Sequence, residues 1–373
     1  MKYTNQSYQN KITEIVSNYP QFKIVEKSDE HNAHTILEGQ GMQLMKNMQL
    51  TYSRRPDLWK SFSDSNQKAL IFYEKDLNTT IAAFSESESF YRRSKILNYY
   101  SSDLRMTPKA TMKIRKDFRE VYLRMISELP ENSICSTAIL KDNLKAMNAF
   151  TRGSTSLFYN VLFEYIIRTV VILPTIYFNK RIQLKDYQSV ELTSDRAEEL
   201  KTFLENKQSK ADFSNDLIAS RANKQNASEF IILKDNKIQG YFALHRPTSR
   251  SIYVKTTSKW IKFLLKLLSI FSATDLSIKL PWVYLTALVL NEELYREEKL
   301  ISYVIQQLFY SKSLKSGELL LMLHPKNHEA EGAQNKSLLK CPQVINTGVF
   351  FRVESKKEDR QLKGFIHIDP SEI

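Results

Sequence analysis

The chain has 373 residues, 42% hydrophobic and 25% charged, with 54 Lys and Arg against 41 Asp and Glu for a net charge of +13. That length and apolar fraction suit two packed domains and exclude a disordered or collagen-like chain. Two cysteines, Cys135 and Cys341, exclude a disulfide framework and a CxxC metal site and fit a reducing cytoplasm, while only eight glycines leave little material for glycine-built phosphate loops.

At the N-terminus, MKYTNQSYQN has no apolar core, so no secretory signal is expected. FKIVEK (22–27) reads as a short first strand, and a helix is expected from about 33 to 48 through Ile36, Leu37, Leu44 and Met45. TYSRRPDLWKSF (51–62) contains Pro56 and reads as a turn into a short helix. Residues 68–76 and 79–88 flank an Asp-Leu-Asn turn as a hairpin, and 96–106 is a strand that Pro108 stops. Ile114, Phe118, Val121, Tyr122, Met125 and Leu129 then form one apolar stripe at 3.6 periodicity over 111–129, ended by Pro130. A buried strand at 133–140 precedes a helix at 142–150, and strands 157–163 and 165–173 close the half.

The same order returns: strand 189–194, helix 195–206, a hairpin over 229–246 turning at Asp235-Asn236, strand 282–290, helix 291–310, strand 318–325 and a terminal strand 345–355. Leu294, Ile301, Val304, Ile305 and Leu308 face inward on that last helix. The expected boundary lies at NKRIQLKD, near 180–187, giving domains 1–183 and 184–373. Between hairpin and strand, SKWIKFLLKLLSIF (258–271) confines Lys259, Lys262, Lys266 and Ser269 to a narrow polar stripe. It reads as an inserted buried helix, or alternatively as a basic amphipathic helix on an acidic membrane surface. No apolar stretch reaches the roughly 18–20 residues that span a bilayer. His324 and His328 stand four apart without an HExxH pattern, so no metal site is expected; GxSxG, GxxxxGK[ST] and GxGxxG are absent.

YYSSDLRMTP followed by a long helix, a strand and DNLKAMNAF resembles the GCN5-related N-acetyltransferase (GNAT) superfamily, and the repeated order resembles its tandem form. The resemblance implies an α/β chain of two tandem GNAT-like domains, each a mixed, mostly antiparallel central sheet flanked by helices. It implies a cytoplasmic acyl-CoA-dependent N-acyltransferase, monomeric or an internal pseudo-dimer, with acetyl-CoA or another acyl-CoA as co-substrate, no metal, and a small-molecule or peptide amine as acceptor. That family lays the CoA pyrophosphate on a helix N-terminus after its fourth strand, where backbone N–H groups and the helix dipole meet the charge. Here the positions are Leu104, Arg105, Met106, Lys109, Ala110, Thr111, Met112, Lys113, Ile114 and Arg115, together with Asn143 of Asn-x-x-Ala.

Charge favours the first half for that role. Arg105, Lys109, Lys113, Arg115, Lys116 and Arg119 crowd its turn, whereas Glu292, Glu293, Glu297 and Glu298 stand at the matching place in the second. Asp103, at the end of the central strand, is the expected base for the acceptor amine, with Tyr100 and Ser102 in reserve for proton transfer. Tyr52, Arg54 and Arg55 lie where the family builds its acceptor site. PKATMKIRK (108–116) lacks the family's loop glycines, and Phe150 stands where its general-acid tyrosine is frequent. Those departures, and basic charge spread over both halves (25 Lys and Arg against 18 Asp and Glu in 1–180, 29 against 23 in 181–373), keep an alternative open: a non-catalytic module of the same fold that binds RNA, acidic lipid or another protein.

Overall fold

The computed structural model describes residues 5–39, 42–45, 48–63, 68–151, 159–224, 227–256, 279–295, 299–326, 341–354 and 365–368, with isolated positions 259, 262, 263, 266, 297 and 339. Asn327, His328 and Ala330 lie outside them, as does most of the expected helix 258–271. Of that segment, Lys259, Lys262, Phe263 and Lys266 are described, and all four are exposed.

The first half opens with a helix that the sequence did not announce, Asn5–Ser17. Its Tyr8, Ile12, Ile15 and Val16 are buried, and the Tyr8 hydroxyl donates to the Met125 carbonyl at 2.7 Å. Then come β1 (Phe22–Ile24), helix Glu30–Gly39, β2 (Met42–Met45) and β3 (Met48–Ser53). The expected helix 33–48 is thus corrected: it ends at Gly39 and the chain turns into a hairpin. Glycine weakens a helix interior, and alternating side chains in MQLTYS suit a strand. A short helix at Lys60–Ser63, β4 (Lys68–Glu74), β5 (Thr80–Tyr91), β6 (Ser94–Met106), helix Met112–Ser127, β7 (Ser133–Leu140) and helix Leu144–Thr151 follow. The two strands expected at 157–173 are a single one, β8 (Asn160–Val171). Glu164, between the two expected spans, stays within it opposite Val349 of β17, and Lys141 and Lys326 hold its two oxygens at 2.6 and 2.9 Å.

The second half comprises β9 (Gln188–Glu191), helix Ala197–Gln208, β10 (Ala211–Asn215), helix Leu217–Asn223, β11 (Ser228–Lys234), β12 (Lys237–His245), β13 (Ser251–Thr256), β14 (Lys279–Leu280) and β15 (Trp282–Leu290). The expected helix 291–310 is two, Glu292–Tyr295 and Leu300–Tyr310, before β16 (Leu319–Pro325), β17 (Gln343–Glu354) and β18 (Phe365–His367).

These strands make one 14-stranded sheet in the order β1-β4-β5-β6-β7-β17-β8-β16-β15-β12-β11-β9, with β10 and β18 attached through β5. Its centre is an exchange. β8, the last strand of the first half, pairs with β16 of the second; β17, from the second half, pairs with β7 of the first; and β8 and β17 pair with each other. A smaller sheet, β14-β13-β3-β2, also joins the halves, with Ser53 opposite Ser251. Alternation along β4 and β5 divides the first half's apolar residues between the two sheet faces. Phe72, Ala82 and Phe84 pack with helices Asn5–Ser17 and Met112–Ser127, while Ile71, Tyr73, Ile81 and Ala83 pack with helix Glu30–Gly39.

Candidate functional site

β6 and β7 are parallel neighbours, paired only from Leu97↔Ser133 to Tyr100↔Ser136, although β6 continues to Met106 and β7 to Leu140. Beyond Tyr100 the two strands no longer share a ladder. The Thr137 hydroxyl closes the point of parting, donating to the Ser101 carbonyl at 2.9 Å. β6 stays on β5 as far as Met106, but with a bulge: Ile81 faces Arg105 while Ala83 faces Ser102. Asp103 sits in it at φ 52°, a left-handed conformation that aspartate tolerates better than most side chains.

The bulge aims Asp103 at Arg54. Nη2 of Arg54 lies 2.8 Å and Nε 2.9 Å from Asp103 Oδ2, and the Arg54 side chain is only 2% exposed. Its guanidinium also lies 4.1 Å over the Phe62 ring and 5.4 Å from the centroid of Tyr52. Arg55 points the other way, its Nε 2.8 Å from Glu38 Oε1, the oxygen that also accepts from the Ser53 hydroxyl at 2.6 Å. Burial alone would raise the Glu38 pKa, but these two donors hold its carboxyl below the usual range. Arg54 and Arg55 therefore do different work, one inward on β6 and one outward on a helix.

Tyr100, the last residue of β6 paired with β7, is buried against Phe350, with ring centroids 6.2 Å apart. Burial, and then the neighbouring Tyr165, push its phenol well above the ordinary value, so it keeps its proton at neutral pH.

The residues expected around the phosphates divide by environment. Leu104, Met106 and Ile114 pack against the core, and Ala110 is buried. Arg115 clamps the turn from within: Nε donates to the Ala110 carbonyl at 2.9 Å and Nη2 to that of Pro108 at 3.2 Å. Thr111 is the N-cap of helix Met112–Ser127, its hydroxyl accepting from the Ile114 N–H. Helix geometry leaves the first-turn N–H groups of Met112 and Lys113 without intrahelical acceptors. Lys109, Lys113, Lys116 and Arg119 are exposed around them, and Arg105 is half-buried. Asn143 is exposed and caps the next helix, Oδ1 accepting from the Ala146 N–H at 3.2 Å.

One cluster escaped the sequence reading. Behind the parting strands the Tyr122 hydroxyl lies 3.1 Å from Ser101 Oγ and 2.6 Å from the Tyr159 hydroxyl, which in turn is 3.4 Å from Cys135 Sγ. Phe150 packs edge-on against Tyr159 with ring centroids 4.7 Å apart. Burial pushes the Cys135 thiol up to about 12 and raises both phenols above their ordinary value, so all three keep their protons at neutral pH. Tyr122 was visible only as part of an apolar stripe, and Tyr159 only as a member of the expected strand 157–163.

The second half repeats the parting. β15 and β16 pair in parallel only from Trp282↔Leu319 to Tyr284↔Leu321, then run on to Leu290 and Pro325. β7 and β16 are antiparallel through β17 and β8, so the two openings face opposite ends of the sheet. A cavity of about 30 Å³ lies in the second one, between Leu285, Leu288, Tyr295 and Met322, with Ile366 and His367 of the C-terminal segment as a wall. Glu292, Glu293 and Glu297 are exposed beyond it, and Glu293 engages Lys234 at 3.8 Å. His324 lies within β16 opposite Ile166. Among the described residues no group of three or more His, Cys, Asp or Glu could hold a metal ion.

No protein-family model matches the chain, and no curated protein matches its sequence. Solved structures do. The chain is similar to N-myristoyltransferase of Saccharomyces cerevisiae with bound myristoyl-CoA over 89% of its own length and 78% of that chain, with a TM-score of 0.52 and 8% sequence identity. It is similar to a tandem GNAT protein from the clavulanic acid biosynthesis pathway over 91% of its length and 100% of that chain, with a TM-score of 0.51 and 8% identity. At such identities the likeness is one of fold, and the chain has the tandem GNAT-like fold.

Proposed function

We propose that this tandem GNAT-like chain is an acyl-CoA-dependent N-acyltransferase whose co-substrate lies in the first half. The observation that carries the reading is the parting of β6 and β7 beyond Tyr100 and Ser136, beside a helix N-terminus ringed by lysines. The structurally similar proteins, an N-myristoyltransferase with bound myristoyl-CoA and a tandem GNAT protein, support the same class of reaction.

The diphosphate meets the N–H groups of Met112 and Lys113 and the side chains of Lys109 and Lys113, so that cations do what flexible glycines do elsewhere. Lys116 and Arg119, about one and two turns further along, suit a further phosphate. The pantetheine arm takes the place of the missing β6–β7 ladder, and β6 amides beyond Tyr100 polarise the thioester carbonyl. Arg54 occupies Oδ2 of Asp103 twice, which orients the carboxylate and leaves Oδ1 to take a proton from the acceptor ammonium. The freed amine attacks the thioester carbonyl, its C–N bond forms as the C–S bond breaks, and coenzyme A leaves as the thiol with the second amine proton. Tyr52, beside Arg54, and Arg55, outside it, flank the acceptor.

Calorimetry with acetyl-CoA and myristoyl-CoA tests the co-substrate and its chain length together. Lys109→Glu with Lys113→Glu is expected to weaken binding by roughly ten-fold or more, because each reversal removes a charge-assisted contact and adds a repulsion. Arg115 is unsuitable for this test, since its loss would loosen the turn itself. Absence of binding at millimolar acyl-CoA, or indifference to the double reversal, sinks the proposal. Binding without thiol release across a panel of amines would favour the non-catalytic alternative.

A further inference from the structure

We propose that the turn Pro174–Phe178, between the two halves, docks this protein on the surface of an anionic phospholipid bilayer. The inference stands apart from the acyl-transfer reading and rests on different residues.

Tyr177 is 64% and Phe178 87% exposed, whereas Ile176 beside them is fully buried. Such exposure would mean little on a loose loop, but this turn is pinned. Asn179 Nδ2 donates to the carbonyls of Thr175 at 3.0 Å and Leu339 at 2.9 Å. The side chain of Gln306, itself buried, accepts from the Ile182 N–H at 2.8 Å and donates to the Lys180 carbonyl at 3.2 Å. Tyr177 leans on Phe309 with ring centroids 4.7 Å apart, so the edge of the turn is propped from below. A fixed backbone thus holds a phenylalanine in water, a placement with an apolar hydration cost that folding does not require.

Among the described residues the charge around it is mostly positive. Lys180, Arg181 and Lys185 follow within seven residues of Phe178, and Lys312 and Lys315 are exposed just after Tyr310, whose ring lies 6.3 Å from Tyr177 and 5.7 Å from the Arg181 guanidinium. Of the nearby acids, Glu318 is engaged by both Nε and Nη2 of Arg246 at 2.9 Å, and Asp186 is the sole acidic residue between Pro174 and Tyr187. An aromatic tip within a collar of cations matches a layer that is apolar beneath and anionic on top. Cations with aromatics also serve single-stranded nucleic acid, but there the rings stack successive bases along a groove. Here one edge of Tyr177 rests on Phe309, and the two exposed rings sit on adjacent residues of a single turn rather than along a groove. No helix among the described residues is long and apolar enough to cross a membrane.

Vesicle flotation of the full chain tests this with phosphatidylcholine alone and with phosphatidylcholine containing phosphatidylglycerol. Binding is expected only to the second composition, falling as salt rises. Phe178→Ser, at a side chain 87% exposed, should reduce it about ten-fold. Lys180→Glu with Arg181→Glu should reduce it by roughly five-fold or more per charge. Acyl-CoA affinity should be the same in all three proteins, which separates failure here from failure of the acyl-transfer reading. The inference is overturned by equal flotation of wild type and Phe178→Ser, or by no flotation at all. It is likewise overturned if RNA shifts the protein while vesicles do not, or if Lys259→Glu with Lys262→Glu abolishes flotation while Phe178→Ser leaves it intact.

Discussion

Arg54 and Asp103 share one oxygen: Nη2 and Nε of the arginine both fall within 2.9 Å of Oδ2, across 49 residues of sequence, with the side chains 2% and 9% exposed. The contact ties the end of β3 to the bulge of β6 just beyond the point where β7 departs. It makes one residue both a support and a proposed base.

Removing one partner of a buried pair strands the other charge, so Arg54→Ala is expected to cost about 3–5 kcal/mol of stability. Asp103→Asn, which keeps a side chain suited to positive φ but strands the Arg54 charge, should cost a comparable amount alone, and in the double variant much of the arginine's loss should disappear. Urea unfolding of the four proteins measures the coupling. Additive losses would show that the two side chains do not act as a pair.

A second prediction concerns the exchanged strand. A Cβ added at Gly348 on β17 would come within 2.6 Å of Tyr165 Cε2 on β8, and closer still to Cζ and Oη. Gly348→Ala should therefore destabilise by about 1–3 kcal/mol as the buried ring is displaced. Tyr165→Val should cost stability through its cavity, yet make Gly348→Ala nearly free. Thermal unfolding of the cycle decides it; an equal cost in both backgrounds would place the strain elsewhere.

The third prediction is a pH slope. Burial, and then the charge of Lys224, push His367 from 6.5 down to about 3. The unfolded chain takes up a proton there below about pH 6.5, while the folded chain does not until about 3. Stability is whole above 6.5 and is lost on acidification at up to about 1.4 kcal/mol per pH unit for this group. His34 is shifted the same way by burial and Arg55. Carboxylates held low, such as Glu38 and Glu164, begin to add their loss as pH falls toward their unfolded value of 4.5, so pH 5.5–6.5 is the interval in which the histidines dominate. His367→Gln should flatten the urea midpoint across that interval, and an unchanged slope would refute the assignment.

Much of this architecture was legible from local pattern. Strands 133–140 and 282–290 have the predicted limits, and the hairpin over 229–246 turns where Asp235-Asn236 take positive φ. The apolar stripe from Ile114 to Leu129 also packs as expected. Helix Asn5–Ser17 was not legible, because NQSYQNKITEIVS has a weak stripe that becomes a face only against Met125 and its neighbours.

The chain's own residues were enough to set the elements on which the tandem resemblance rests and the basic character of the turn after β6, but not helices Asn5–Ser17 and Leu217–Asn223 or strands β2, β3, β10 and β13. Periodicity and turn chemistry are local, and they act within a few residues. Only the tertiary structure decided that β8 and β17 change places, that β7 leaves β6 after Tyr100, that Arg54 turns inward to Asp103, and that Tyr122, Tyr159, Ser101 and Cys135 meet. Each of these depends on which distant segment lies alongside. Alternation says which face a strand buries, but nothing about its neighbour; that choice is made by long-range packing and register.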